Sequence, residues 1–205
     1  MRRHSRARLA LTALAVGSLV ALVGAQAQAP GSWVARSPKL GAVPFQSVDG
    51  HISFEYPKKD WVATAGVGPT LAMLVEKNAA AWMVVERTKL QMALAPDDVT
   101  DLFSQLEADR LKEAEPQATG VQNKLFVLDD RRFTAVQLSR KGLRGTDVVR
   151  QYSFPVGEYL YRLVCGTTSD QFPKFEPIFA HAAATFRAQA AAAAAASAPA
   201  PAAKP

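Results

Sequence analysis

Phe45-Gln46-Ser47-Val48-Asp49-Gly50-His51-Ile52-Ser53-Phe54-Glu55-Tyr56-Pro57 is the stretch of this 205-residue chain from which the fold is read outward. Two short alternating runs meet at Asp49-Gly50, the strongest local hairpin signal, because glycine tolerates the positive φ of a tight type I′ turn. Ile52, Phe54 and Tyr56 fall on one face of the second run. Pro57 ends it, since proline brings no N–H to a ladder.

Downstream, Trp61 opens a short extended piece over residues 61–65, and a turn at 66–69 leads to strands over 70–77 and 82–90. The period then changes. Val99, Leu102, Phe103, Leu106 and Leu111 follow helical spacing, with Pro96, Asp97, Asp98 and Asp101 at the start and Arg110 and Lys112 near the end, where they complement the helix dipole. Pro116 closes this amphipathic helix. Two further hairpins are expected, one turning at Asp129-Asp130-Arg131 between strands 124–128 and 132–140, the other at 155–158 between strands 146–154 and 159–168. Phe175, Ile178, Phe179, Ala182 and Phe186 mark a second amphipathic helix, capped by Ser169 or Asp170 and regular from Pro177. Tight turns between neighbouring strands imply an antiparallel sheet, hence an α+β class in which two amphipathic helices flank an antiparallel β-sheet.

Three places in the chain resemble the PsbP-like superfamily, which includes the photosystem II subunit PsbP and the bacterial DcrB-type exported proteins. The first is the opening from Asp49 to Pro57 followed by Trp61, which is similar to the G-F-S-F-x-Y-P…W start of that group. The second is the helix over 96–115. The third is Tyr159-Leu160-Tyr161-Arg162-Leu163 followed by the phenylalanines from Phe172 to Phe186. The resemblance covers residues 45–187 and implies a PsbP-like α/β/α sandwich whose relatives act as accessory or binding proteins. No position matches a metal or partner site of the family, and fold alone does not transfer function.

The ends of the chain speak of location. Arg2, Arg3, Arg6 and Arg8 precede an uncharged, Leu/Ala/Val-rich run over 9–24 and then Ala25-Gln26-Ala27. A positive start, an apolar middle and small residues at the cleavage site make a secretory signal, read here as residues 1–27 with cleavage after Ala27. The apolar run is shorter than the ~20 residues that span a bilayer. The mature protein is therefore expected in the bacterial periplasm or secreted, meeting the membrane only during export unless the signal stays uncleaved. Residues 28–44, with Pro30, Gly31, Pro38, Gly41 and Pro44, read as a flexible lead-in, and 188–205 as an Ala/Pro-rich disordered tail.

The charge balance follows from that division. The whole chain is +6, yet 17 basic residues face all 18 acidic ones between Phe45 and Arg187, so the domain is near neutral. A nucleic-acid partner is thereby excluded, since it calls for basic residues concentrated on a folded surface.

The inventory for chemistry is thin. No Gly-x-Ser-x-Gly, phosphate-binding loop or dinucleotide fingerprint occurs. His4 lies in the signal, and His51 and His181 are expected at an exposed rim. Asp97-Asp98 and Asp129-Asp130 sit at a helix start and a hairpin turn, where local structure accounts for them. Cys165 alternates with Tyr159, Tyr161 and Leu163 and reads as an inert core thiol. No catalytic residue, metal ligand or cofactor is assigned. The most localised charge, Arg140, Lys141, Arg144 and Arg150 around a Gly-bounded loop, is a candidate contact for an anion or an acidic partner. The chain is thus expected to be an exported, non-catalytic accessory protein acting through an unknown envelope partner. The alternatives are a small-ligand or lipid-binding domain with a pocket near Trp61 or Trp82, and a hydrolase.

Overall fold

The protein is described here by a computed structural model covering residues 33–66 and 68–189; residues 1–27, expected to be a signal, and all of the expected tail 188–205 beyond residue 189 lie outside the described residues. A small sheet of order β1-β2-β9 is built from β1 (Ala42–Gln46), β2 (Ile52–Pro57) and β9 (Arg187–Ala188). A six-stranded sheet, order β3-β4-β5-β8-β7-β6, contains β3 (Trp61–Ala65), β4 (Thr70–Glu76), β5 (Ala81–Leu94), β6 (Thr119–Leu128), β7 (Arg131–Gly142) and β8 (Gly145–Thr168). All pairings are antiparallel. Helix α1 (Asp101–Ala114) packs on β6 and β7, and α2 (Phe172–Thr185) on β2 and β8.

The opening hairpin forms, but with a wider turn than Asp-Gly alone predicts. Gln46 faces Ser53, and the Ser47 N–H donates to the Ile52 carbonyl at 3.1 Å, so residues 48–51 form the loop. Gly50 takes the positive φ of +72°, while Asp49 turns inward as an acceptor for the Ser47 hydroxyl at 2.6 Å and the His51 N–H at 3.1 Å. The two-residue type I′ turn occurs instead at Asp129-Asp130, with φ of +49° and +59° between paired Leu128 and Arg131. Asp tolerates this left-handed region better than most residues.

The hairpin expected at 155–158 does not exist. Residues 145–168 are one 24-residue strand, β8, whose first half pairs with β7 and whose second half pairs with β5. Pro155 and Gly157, read in sequence as a reversal, make a bend: Gly157 sits at φ +59° and shifts the side-chain alternation by one residue. As a result Tyr152 and Phe154 before the bend, and Tyr161, Leu163 and Cys165 after it, all enter the same core. An extra residue in a strand has this effect, because side chains alternate with a period of two.

That core is organised around a ladder of phenylalanines. Ring centroids are separated by 6.1 Å from Phe54 to Phe186, 4.3 Å from Phe186 to Phe154, 4.7 Å from Phe154 to Phe133 and 5.5 Å from Phe133 to Phe126. Trp33 continues it beside Phe126, and the lead-in predicted over 28–44 is pinned to the domain from that residue onward. The Trp33 carbonyl accepts the Tyr152 hydroxyl at 2.7 Å, and the Ala35 N–H donates to the Ala180 carbonyl at 3.2 Å. Helix α2 starts at Phe172, earlier than predicted, with Pro177 inside it and no side-chain cap from Ser169 or Asp170. Burial of Phe172, Phe175 and Phe179 outweighs the one backbone hydrogen bond that the proline forfeits.

Helix α1 lies on the opposite face of the large sheet and is rotated away from part of the expected apolar stripe: Val99 ahead of it is buried and Phe103 and Leu111 are half-buried, but Leu102 and Leu106 turn outward. Its buried residues are Ser104, Glu107 and Ala108, whereas Leu102 and Leu106 are 69% and 58% exposed. What turns the helix is Glu107. Its carboxylate accepts Arg162 Nε and Nη2, both at 3.0 Å, the Ser153 hydroxyl at 2.7 Å, Gln151 Nε2 at 3.0 Å and Arg110 Nε at 3.3 Å. Asn123 Nδ2 donates to the Ser104 hydroxyl at 3.1 Å and ties the helix to β6. Burial by itself would push the Glu107 carboxyl up, but the hydrogen bonds and charge of Arg162, with Ser153 and Arg110, outweigh it and hold the group below its ordinary range.

Removing one partner of a buried, satisfied ion pair leaves the other charge stranded, so Glu107→Ala is expected to cost about 3–5 kcal/mol at neutral pH by denaturant unfolding. Because the folded-state pKa is lowered, this stabilisation is complete above the unfolded-state pKa and is lost as pH falls through the folded-state value. The difference between wild type and Glu107→Ala should therefore shrink in acid, below about pH 4.5.

Candidate functional site

The basic cluster expected at the β7–β8 turn is divided by the structure. Arg140, Lys141 and Arg144 stand at the turn, with Arg140 paired to Glu115 and the other two exposed. Arg150 does not belong to that surface. Its side chain is 1% exposed and points to the opposite face of the sheet, donating to Gln137 Oε1 at 2.6 and 2.9 Å and to Glu176 at 2.8 Å. The guanidinium lies 4.6 Å from the Trp33 ring centroid and 5.0 Å from that of Phe172, a cage that sets the beginning of the domain against α2.

His181 is buried rather than on a rim, at 4% exposure. The Ser37 N–H donates to its Nδ1 at 2.9 Å, so the ring proton belongs on Nε2, which donates to Glu55 Oε2 at 3.0 Å. Both nitrogens are thereby engaged, and no lone pair remains to take a proton from a substrate. His51 sits half-buried in the β1–β2 turn, its Nδ1 without a partner among the described residues. Cys165 is fully buried, and burial pushes its thiol up, away from the reactive thiolate. Trp61 packs edge-on against Phe175 in the core, and Trp82 covers Gly166, where a Cβ would run into the indole. Asp98 accepts the Ala95 N–H at 2.7 Å ahead of α1, and Asp97 pairs with Arg132 at 3.5 Å. Among the described residues no group of three His, Cys, Asp or Glu side chains comes together to hold a metal.

The convergence that sequence reading missed lies where the β6–β7 turn meets the end of α2. Asp129 is shared by three guanidiniums: Arg36, Arg187 at 3.0 Å and Arg131 at 3.7 Å. Arg131 also donates to the Phe186 carbonyl and, at 3.1 Å, to the Ala184 carbonyl, closing groups that the last helical turn leaves unpaired. Burial, then the like charge of Arg187, pushes the Arg131 pKa down, against the pull of Asp129. Beside the cluster is a cavity of about 260 Å³ with Phe154, Phe186, Val156 and Leu94 in its walls and Arg131, Arg132 and Arg187 among its polar lining. Arg187 also borders a wider depression with Arg36, Glu55, His181 and Thr185. These residues lie 36, 55, 131 and 187 positions along the chain, with no spacing to betray them.

No family model matches the sequence, and no curated protein matches it. Solved structures do. Cyanobacterial PsbP (CyanoP) from Synechocystis superposes with a TM-score of 0.55 at 11% identity, over 72% of this chain and 92% of the other. The fold is PsbP-like. LpqN from Mycobacterium tuberculosis, described as involved in cell envelope biogenesis, superposes with a TM-score of 0.53 at 15% identity, over 71% of this chain and 88% of its own. At such identities the likeness establishes the fold and carries no residue's role across. In the PsbP-like domain, no helix among the described residues is long and apolar enough to cross a membrane.

Arg131 joins the β6–β7 turn to the end of α2 through charged hydrogen bonds. Arg131→Met is expected to lower unfolding stability by about 1.5–3 kcal/mol, whereas Lys141→Ala with Arg144→Ala should stay within about 0.5 kcal/mol of wild type. Parallel urea denaturation of the two variants checks both expectations.

Proposed function

We propose that this PsbP-like domain is exported and works outside the cytoplasm as a non-catalytic accessory protein, docking on a protein partner in the cell envelope through the outward face of α1. The observation that carries the reading is the outward turn of two leucines of that helix. Leu102 and Leu106, one turn apart, face away from the sheet while Glu107 is drawn under it. Two leucines held outward at the cost of an apolar contact are a helix ridge available to a groove. Asp101, Asp109 and Glu113 are exposed on the same helix against Arg110 and Lys112, so the matching groove is apolar with a basic rim.

Export is supported by the signal pattern over residues 1–27, and an accessory role by the saturated ring nitrogens of His181 and the buried thiol of Cys165. The description of the similarly folded LpqN as a protein of cell envelope biogenesis agrees with an envelope setting.

A photo-reactive residue at position 106 of the full chain, expressed in its host, should crosslink to one envelope protein. Leu102→Asp combined with Leu106→Asp should weaken binding of that protein about tenfold or more while leaving folding stability within about 0.5 kcal/mol. An unchanged affinity in the double variant would remove α1 as the docking surface. Retention of the chain in the cytoplasm after fractionation would remove the envelope setting.

A further inference from the structure

We propose that the cavity between the bend of β8 and the end of α2 is a binding site for a small organic anion of amphiphilic character, a carboxylate on an apolar body. This goes beyond the docking reading, because neither Leu102 nor Leu106 lines the cavity.

The chemistry is divided between two walls. On one side the rings of Phe154 and Phe186, stacked 4.3 Å apart, with Val156 and Leu94, offer apolar surface. The other side carries Arg131, Arg132 and Arg187. Asp129 serves Arg36, Arg131 and Arg187 at once, so that group of four side chains has two positive charges in excess. Arg132 is balanced by Asp97, and the cavity lining itself carries Arg131, Arg132 and Arg187 against Asp130. Three guanidiniums thus line the cavity against one carboxylate.

Arg187 gives Nη1 to the Phe186 carbonyl and Nη2 to Asp129, each at 3.0 Å, and one donor of Arg131 is unpaired among the described residues. Arg131 gives Nη1 to the Phe186 carbonyl just past α2 and Nη2 to the Ala184 carbonyl, but its Nε is buried and meets no acceptor among the described residues. A guanidinium presents its N–H groups in a planar fork that matches a carboxylate. Hence a ligand's carboxylate lies against Arg187 and Arg131 while its apolar part covers Val156 and the phenylalanine rings. A volume of about 260 Å³ is at the small end for ligand pockets, which sets the body at a medium-length chain or a single ring and not a whole lipid.

Octanoate is the probe, titrated into the full mature chain and followed by amide chemical shifts and calorimetry, with octanol and acetate as controls for the head and the body. Saturable shifts at residues 94, 131–132, 156–157 and 187–188 are expected, with both controls about tenfold weaker or worse. Arg187→Gln, an exposed position, should weaken octanoate about tenfold, and Val156→Trp should block it by filling the apolar side. Equal binding of octanol, or octanoate affinity indifferent to both variants, would overturn the site. So would binding of anionic phosphatidylglycerol vesicles with no response to free octanoate, which would assign the arginines to a membrane surface. Loss of octanoate binding in the Leu102→Asp and Leu106→Asp variant is not expected, so the docking reading and this one fail separately.

Discussion

Strand β8 is the element on which the rest of the molecule depends. It is 24 residues long, hydrogen-bonded to β7 through its first half and to β5 through its second, so the six-stranded sheet would be two separate hairpin systems without it. Its side chains also supply both layers. Tyr152, Phe154, Tyr161 and Leu163 enter the phenylalanine core under α2, while Gln151, Ser153 and Arg162 point the other way and hold Glu107 of α1. The left-handed Gly157 keeps these two sets on their proper faces across the bend by absorbing one residue of phase.

The two layers differ in what fixes them. Area burial dominates on the α2 side, where aromatic rings bring a large apolar surface out of water. On the α1 side a single carboxylate takes donors from Arg162, Ser153, Gln151 and Arg110. A buried ion pair of this kind adds little over a well-packed apolar contact, yet it is intolerant of misplacement, because any other rotation of α1 leaves Arg162 uncompensated. The helix is therefore oriented by charge, and Leu102 and Leu106 are left outside. Arg150, between Trp33, Phe172, Gln137 and Glu176, gives a similar specification to the start of the domain.

Two surfaces follow from these constraints. The outward ridge of α1, proposed above as a docking surface, is a by-product of how Glu107 is satisfied. The arginine-lined cavity arises because the β6–β7 turn, the bend of β8 and the end of α2 meet at one end, where Asp129 cannot neutralise three guanidiniums. A PsbP-like fold shared with CyanoP and LpqN at TM-scores of 0.55 and 0.53 supplies the frame for both without dictating either.

The elements themselves were legible in the residues: the alternation of Ile52, Phe54 and Tyr56, the change to helical spacing after Pro96, and the phenylalanine pattern closing the chain all report local periodicity, which the backbone geometry imposes directly. They led to an antiparallel α+β sandwich, the architecture that forms. What they could not show was direction at Pro155 and Gly157, because a turn signal says that the chain bends and not whether the flanking strands then find each other or other partners. Nor could they orient α1, since periodicity counts apolar residues and is blind to a buried Glu107 whose partners Arg162 and Ser153 are 55 and 46 residues away. The removal of Arg150 from its neighbours and the meeting of Arg36, Arg131 and Arg187 have the same origin. Charge pairing over long sequence separations is decided only when the chain is folded, by which faces the strands bring together.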